Sequence, residues 1–116
     1  MDEKQYYDNH YAEMLVQPIE VMQELLAPDQ LYASLLFNIN KYDCRAGHKA
    51  GEAISKDETK RDRYIAWAYI VKYTSGKIDP KCDYDCPAYF KKEVLNMLRE
   101  KRAQIENERK QNGKKI

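Results

Sequence analysis

The feature that most constrains the fold is an apolar stripe closed at both ends. Leu31, Leu35, Ile39, Tyr42 and Ala46 recur three and four residues apart, which places them on one face of an α-helix. Pro28-Asp29 precedes the stripe and Gly47 follows it. Asp29 is the expected N-cap of a helix from about Gln30 to Ala46. Gly47 is expected to end it, because glycine readily takes the left-handed conformation common at helix ends.

The remaining periodicity is also helical. Pro18 suits the first turn of a helix, where its missing N–H costs nothing, and Ile19, Met22, Leu25 and Leu26 continue at helical spacing. Residues 47–54 are expected as a loop, and Ser55 with Glu58 has the form of a capping box. The helix it would open carries Tyr64, Ile65, Trp67, Ala68 and Val71, with Tyr69 as a further apolar candidate, as far as about Tyr73; Thr74-Ser75-Gly76 stops it. A fourth helix starts near Pro87, capped by Asp85 or Cys86, with Phe90, Val94, Met97, Leu98 and Ile105 as a stripe that thins into a charged tail. No strand pattern or internal repeat competes with this. The expected architecture is all-α: a small domain of about four helices, divided into a polar arm (1–17), a helical core (18–76), and a connector with a long charged C-terminal helix (77–116).

At 116 residues the chain has room for one modest core. With 34% charged residues its surface is heavily charged. No apolar run reaches membrane-span length and Met1-Asp2-Glu3-Lys4 does not open a secretory signal. The expected location is cytoplasmic, with Cys44, Cys82 and Cys86 reduced. Charge is placed unevenly: residues 1–30 hold seven acids and one base, whereas residues 87–116 hold nine bases and four acids. Such asymmetry suits two ends that answer each other within or between subunits. The acids interleaved in the basic tail argue against a nucleic-acid stripe. Ten tyrosines, several outside the helical stripes, suit a subunit contact, and a homo-oligomer is expected.

Chemistry concentrates on a polar ridge. Asn38, Lys41 and Arg45 lie on one helix face, roughly 100° from the apolar stripe, and Lys49 follows just past the helix end. An amide, an ammonium and a guanidinium in a row suit phosphate or carboxylate. The competing reading is ordinary surface pairing of Lys41 and Arg45 with Glu20, Glu24 or Asp57. Cys82-x-x-x-Cys86 with His48, His10 or Cys44 falls short of a zinc signature, so no metal site is expected and a structural connector is the better reading. No Ser-His-Asp or Cys-His set has ordered spacing.

The segment from His10-Tyr11 through Pro18-Ile19-Glu20-Val21, then Asn38, Lys41, Tyr42, Arg45, Gly47 and Lys49, then Asp57, Lys60, Tyr64 and Ile65 resembles the SaV-like family of bacteriophage proteins, a domain of unknown function. The agreement covers residues 10–70. Two positions depart from the pattern: Asp43 stands where the family is usually aliphatic, and Arg61 where it usually has alanine. The resemblance implies a protein of the bacterial host cytoplasm. One podophage branch includes a nucleoside monophosphate kinase without the usual phosphate loop.

Two classes of function follow. The first is a phage-encoded nucleotide-binding protein. Its phosphate ligands would be Asn38, Lys41, Arg45, Lys49, Lys60 and His10, with Tyr42 or Trp67 stacking on the base. It would either act as a nucleoside monophosphate kinase or sequester a nucleotide signal of host defence. A kinase would add magnesium, held by Glu20 or Asp57, yet no G-x-x-x-x-G-K-[ST] loop is present; binding alone asks for less. The second is a non-catalytic protein that blocks a host factor in anti-defence or host takeover, through its acidic arm and basic tail.

Overall fold

The computed structural model describes residues 14–47, 52–74 and 76–114. Among these, four α-helices account for all regular structure: α1 Pro18–Leu25, α2 Pro28–Ala46, α3 Glu52–Tyr73 and α4 Ala88–Lys114. The expected all-α class holds. Among the described residues no helix is long and apolar enough to cross a membrane.

Proline sets the first two helix starts. Pro18 opens α1, and the Gln17 backbone N–H donates to the Glu20 carboxylate at 2.7 Å, satisfying one of the amides a helix start leaves open. Pro28 opens α2 in the same way, with the Ala27 N–H donating to Gln30 Oε1 at 2.9 Å. The residue before a proline is pushed out of helical geometry. Ala27 accordingly sits at φ −64°, ψ 157° and separates the two helices. Asp29 therefore lies inside the first turn of α2 rather than capping it, and its negative charge there complements the helix dipole. Gly47 also differs from expectation. It ends α2, but at φ −68°, ψ −13°, with its N–H donating to the Asp43 carbonyl at 3.2 Å. The left-handed conformation is not used.

α3 begins at Glu52, three residues before the expected capping box. Ser55 is consequently a helical residue, and its carbonyl accepts the Thr59 hydroxyl at 2.9 Å. α3 then runs to Tyr73 as its pattern predicts.

α2 and α3 are antiparallel partners. As positions climb along α2, their partners descend along α3: Tyr32 with Lys72, Tyr42 with Tyr64, Asp43 with Arg61, and Arg45 with Asp57. Leu35, Ile39, Ile65 and Ala68 are closed to solvent in this hairpin. Toward the α2 C-terminus the buried positions become charged: Asp43, Asp57 and Arg61 are all buried. Asp43, not Tyr42, continues the strict four-residue stripe of Leu31, Leu35 and Ile39. Tyr42 is only half-buried.

The segment after α3 is tied back to α1. Gln23 donates its side-chain N–H to the Ile78 carbonyl at 2.9 Å and accepts the Ile78 N–H at 2.7 Å. Its amide thus satisfies both backbone groups of a residue that is itself buried. Lys77 adds an exposed ion pair to Glu24 at 3.0 Å. Asp79 organises the following turn by accepting the Lys81 N–H at 2.9 Å on its side chain and the Cys82 N–H at 3.0 Å on its carbonyl. The chain divides into two compact units at Cys86 and Pro87. The second is α4, 27 residues long, whose first-turn Phe90 N–H donates to the Pro87 carbonyl at 3.0 Å.

Candidate functional site

Three aromatic rings run across the α2–α3 hairpin. Tyr42 and Tyr64 stack with centroids 5.7 Å apart and planes inclined by 10°. Tyr64 meets Trp67 edge to face at 5.3 Å and 87°. Both arrangements suit the ring quadrupoles. Tyr64 is three residues before Trp67 on one face of α3, which brings the pair together.

Cations gather at the Tyr42 end. Lys41 Nζ, Arg45 Cζ and Lys60 Nζ stand 5.0, 5.5 and 5.7 Å from the Tyr42 ring centroid. Arg45 lies one turn along α2, and Lys60 reaches across from α3. Three positive charges around one ring repel one another, and the ring quadrupole offsets only part of that repulsion. Asp57 supplies a counter-charge: its Oδ1 is 3.8 Å from Arg45 Nε, with Asp57 buried and Arg45 half exposed. An anion arriving from solvent would relieve the same repulsion.

A pocket lies at the Trp67 end. It has a volume of about 120 Å³. Asn38, Tyr64 and Trp67 from the hairpin line it, opposite Pro18, Ile19 and Met22 of α1. Sites that enclose a whole drug-sized ligand occupy roughly 300–1,000 Å³, so this pocket suits one ring-sized part of a ligand. Asn38 Nδ2 donates to the Ser34 carbonyl one turn back at 3.1 Å, which fixes its amide at the pocket edge. Trp67 is only 2% exposed, and it contributes to the lining of this pocket.

The structure thus brings Lys41, Arg45, Lys60 and Tyr42 into one cluster and Asn38 and Trp67 into the adjoining pocket. Lys49 and His10 lie outside the described residues, as do His48 and Gly51. Of the carboxylates considered for magnesium, Glu20 accepts the Gln17 N–H at the start of α1, and Asp57 faces Arg45. Glu24 pairs with Lys77. Among the described residues no group of three or more His, Cys, Asp or Glu is placed to hold a metal. Cys82 donates to Asp79 Oδ2 at 3.5 Å. That hydrogen bond to a carboxylate, with the nearby negative charge, raises the thiol above its ordinary value.

Two parts of the site escape a residue-by-residue reading. Tyr64 is the hinge between cluster and pocket, and helical spacing marks it only as one more apolar position. Arg61 lies beside Lys60, buried against Asp43, with its Nη1 3.0 Å from Asp43 Oδ1. Arg61 Nε also meets Asp62 Oδ1 at 2.9 Å, and Nη2 meets Glu58 at 3.6 Å. The available signal was the strict four-residue spacing, which lands on Asp43 and requires a buried partner for it.

Comparison with known proteins adds a family and no activity. The family described as a protein of unknown function, DUF3310, matches residues 6–66, more than half of the chain. No curated protein and no solved structure matches it.

Proposed function

The chain belongs to the DUF3310 family, whose description carries no activity, and from its site we propose that it binds a nucleotide or nucleotide-like anion. The phosphate is held by Lys41, Arg45 and Lys60. The ring enters the pocket beside Tyr64 and Trp67, where the Asn38 amide meets its polar edge. One observation carries this reading: the Tyr42–Tyr64–Trp67 run joins a three-cation cluster to a ring-sized pocket. Cations at one end and a partly apolar cleft at the other match the two halves of a nucleotide.

Binding without turnover is the favoured form. Phosphoryl transfer needs metal and a positioned acceptor in addition to phosphate-binding cations, whereas sequestration needs only the groups named above. The resemblance to SaV-like phage proteins supports a phage protein acting on nucleotides in the host cytoplasm, either as a sponge for a defence signal or as a monophosphate kinase.

A thermal-shift screen against nucleoside mono-, di- and triphosphates and cyclic dinucleotides, with and without magnesium, tests the proposal. A ligand at a hundredfold excess over Kd stabilises the folded state by about 2.7 kcal/mol. The expected result is a shift that Lys41→Ala/Lys60→Ala abolishes while helical content is retained. A monophosphate that is converted when a triphosphate is added makes the protein a kinase. No shift with any nucleotide overturns the proposal.

A further inference from the structure

The segment leading into α1 and the outward side of α1 itself carry exposed apolar side chains. Leu15 is 98% exposed and Leu25 70%, with Val16 and Val21 also exposed. Together with Glu20 and Glu24 they line a shallow depression of about 390 Å³. Residues 14–25 contain no lysine or arginine, so the segment itself is apolar and acidic, with Lys77 beside Glu24 at its edge. Its two carboxylates are held in place, Glu20 by the Gln17 N–H and Glu24 by Lys77.

α4 presents the opposite chemistry. Met97 and Ile105 are large apolar residues left exposed in the single chain. They lie eight residues apart on one helix, with Lys101 between them and Arg109 one turn further on. Residues at such four-residue steps share a face, so this side of α4 alternates apolar and basic. One chain therefore carries both halves of a complementary pair: an acidic apolar face and a basic apolar face, each with exposed apolar side chains.

We propose that copies of this chain associate by seating the Met97–Lys101–Ile105–Arg109 face of one α4 on the Leu15–Val21–Leu25 face of another copy's α1. The apolar residues supply the burial, and the Glu20 carboxylate meets Lys101 or Arg109 across the contact, while Glu24 exchanges its exposed Lys77 partner for the other. Opposite charge sets register and speeds encounter, while the apolar anchors carry the affinity. This proposal is independent of the nucleotide reading.

Sedimentation or light scattering of the full chain at increasing concentration tests it, with Leu25→Asp and Ile105→Asp as variants. Both positions are exposed, and helical content by circular dichroism checks folding; Val21→Lys is an independent second variant on the α1 face. The wild type is expected to assemble. Each variant alone is expected to weaken assembly at least about tenfold, as loss of one interface anchor does. Mixing Leu25→Asp with Ile105→Asp is expected to restore a one-to-one heterodimer, because each keeps the face the other has lost. The proposal is overturned if the folded wild type stays monomeric, including the case where a basic helix of some other protein occupies α1. It is equally overturned if Leu25→Asp or Ile105→Asp keeps the wild-type mass, or if the folded mixture remains monomeric.

Discussion

Asp43 and Arg61 meet at 3.0 Å in the seam between α2 and α3, with both side chains almost closed to solvent. The two charges compensate each other. Either charge alone in that seam would be costly, and together they form a pair that Glu58 and Asp62 extend toward solvent.

A double-mutant cycle measures that compensation. Removing one partner of a buried pair leaves the other charge stranded, at a cost of about 3–5 kcal/mol. Asp43→Ile and Arg61→Met are each expected to lose that much in denaturant unfolding. The double variant, apolar and similar in volume, is expected within about 1 kcal/mol of wild type or above it. Singles as stable as wild type would show that the seam takes in water and that the pair contributes little.

Trp67 gives the pocket its own reporter, as it is the chain's one tryptophan. Its burial predicts a blue-shifted emission in the folded protein, moving to the red on unfolding. A ligand ring seated beside it should change the intensity, and Lys41→Ala/Lys60→Ala should remove that response without altering the emission maximum of the free protein. An unchanged spectrum at saturating ligand would place the ligand away from the pocket.

Gly47→Ala should be tolerated, against the usual expectation for a glycine at a helix end. The backbone there is right-handed helical, and an added Cβ would stand 3.5 Å from the Cys44 carbonyl oxygen, an ordinary contact. Reducing the freedom of the unfolded chain typically stabilises by about 0.4–1 kcal/mol at such a position. A fall in stability by a comparable amount would mean that the glycine serves a different backbone conformation.

Cys82 should alkylate slowly for an exposed thiol. Its raised pKa, caused first by the hydrogen bond to Asp79, keeps less thiolate present at pH 8. Asp79→Asn removes the carboxylate charge and is expected to speed iodoacetamide labelling and to move its pH midpoint down. A midpoint that stays in place would show that the Asp79 contact does not govern the thiol.

Much of the fold could be read from local rules, because helices announce themselves at short range. Prolines at 18 and 28 and the four-residue stripe of Leu31, Leu35 and Ile39 each act within one or two turns. The capping-box reading at Ser55 failed because the helix found an earlier start, at Glu52, and an internal serine with a glutamate three residues on looks identical in sequence. Two of the three cations in the cluster were readable for the same local reason: Lys41 and Arg45 share α2. What brings Lys60 to Tyr42, Arg61 to Asp43 and Gln23 to Ile78 is tertiary pairing across 18 to 55 residues, which periodicity along a single helix does not encode.

The clasp of Gln23 on Ile78 bears on where this chain can be cut. α1 has eight residues, too few to persist as an isolated helix in water, so its place depends on what grips it. Part of that grip comes from Lys77 and Ile78, beyond the family segment that ends at residue 66. Yet α1 supplies Pro18, Ile19 and Met22 as one wall of the pocket. A fragment trimmed to residues 6–66 would keep Asn38, Lys41, Arg45, Lys60 and Tyr64, yet it would lose both Trp67 and the clasp that steadies that wall: the pocket leans on chain that lies past the matched residues.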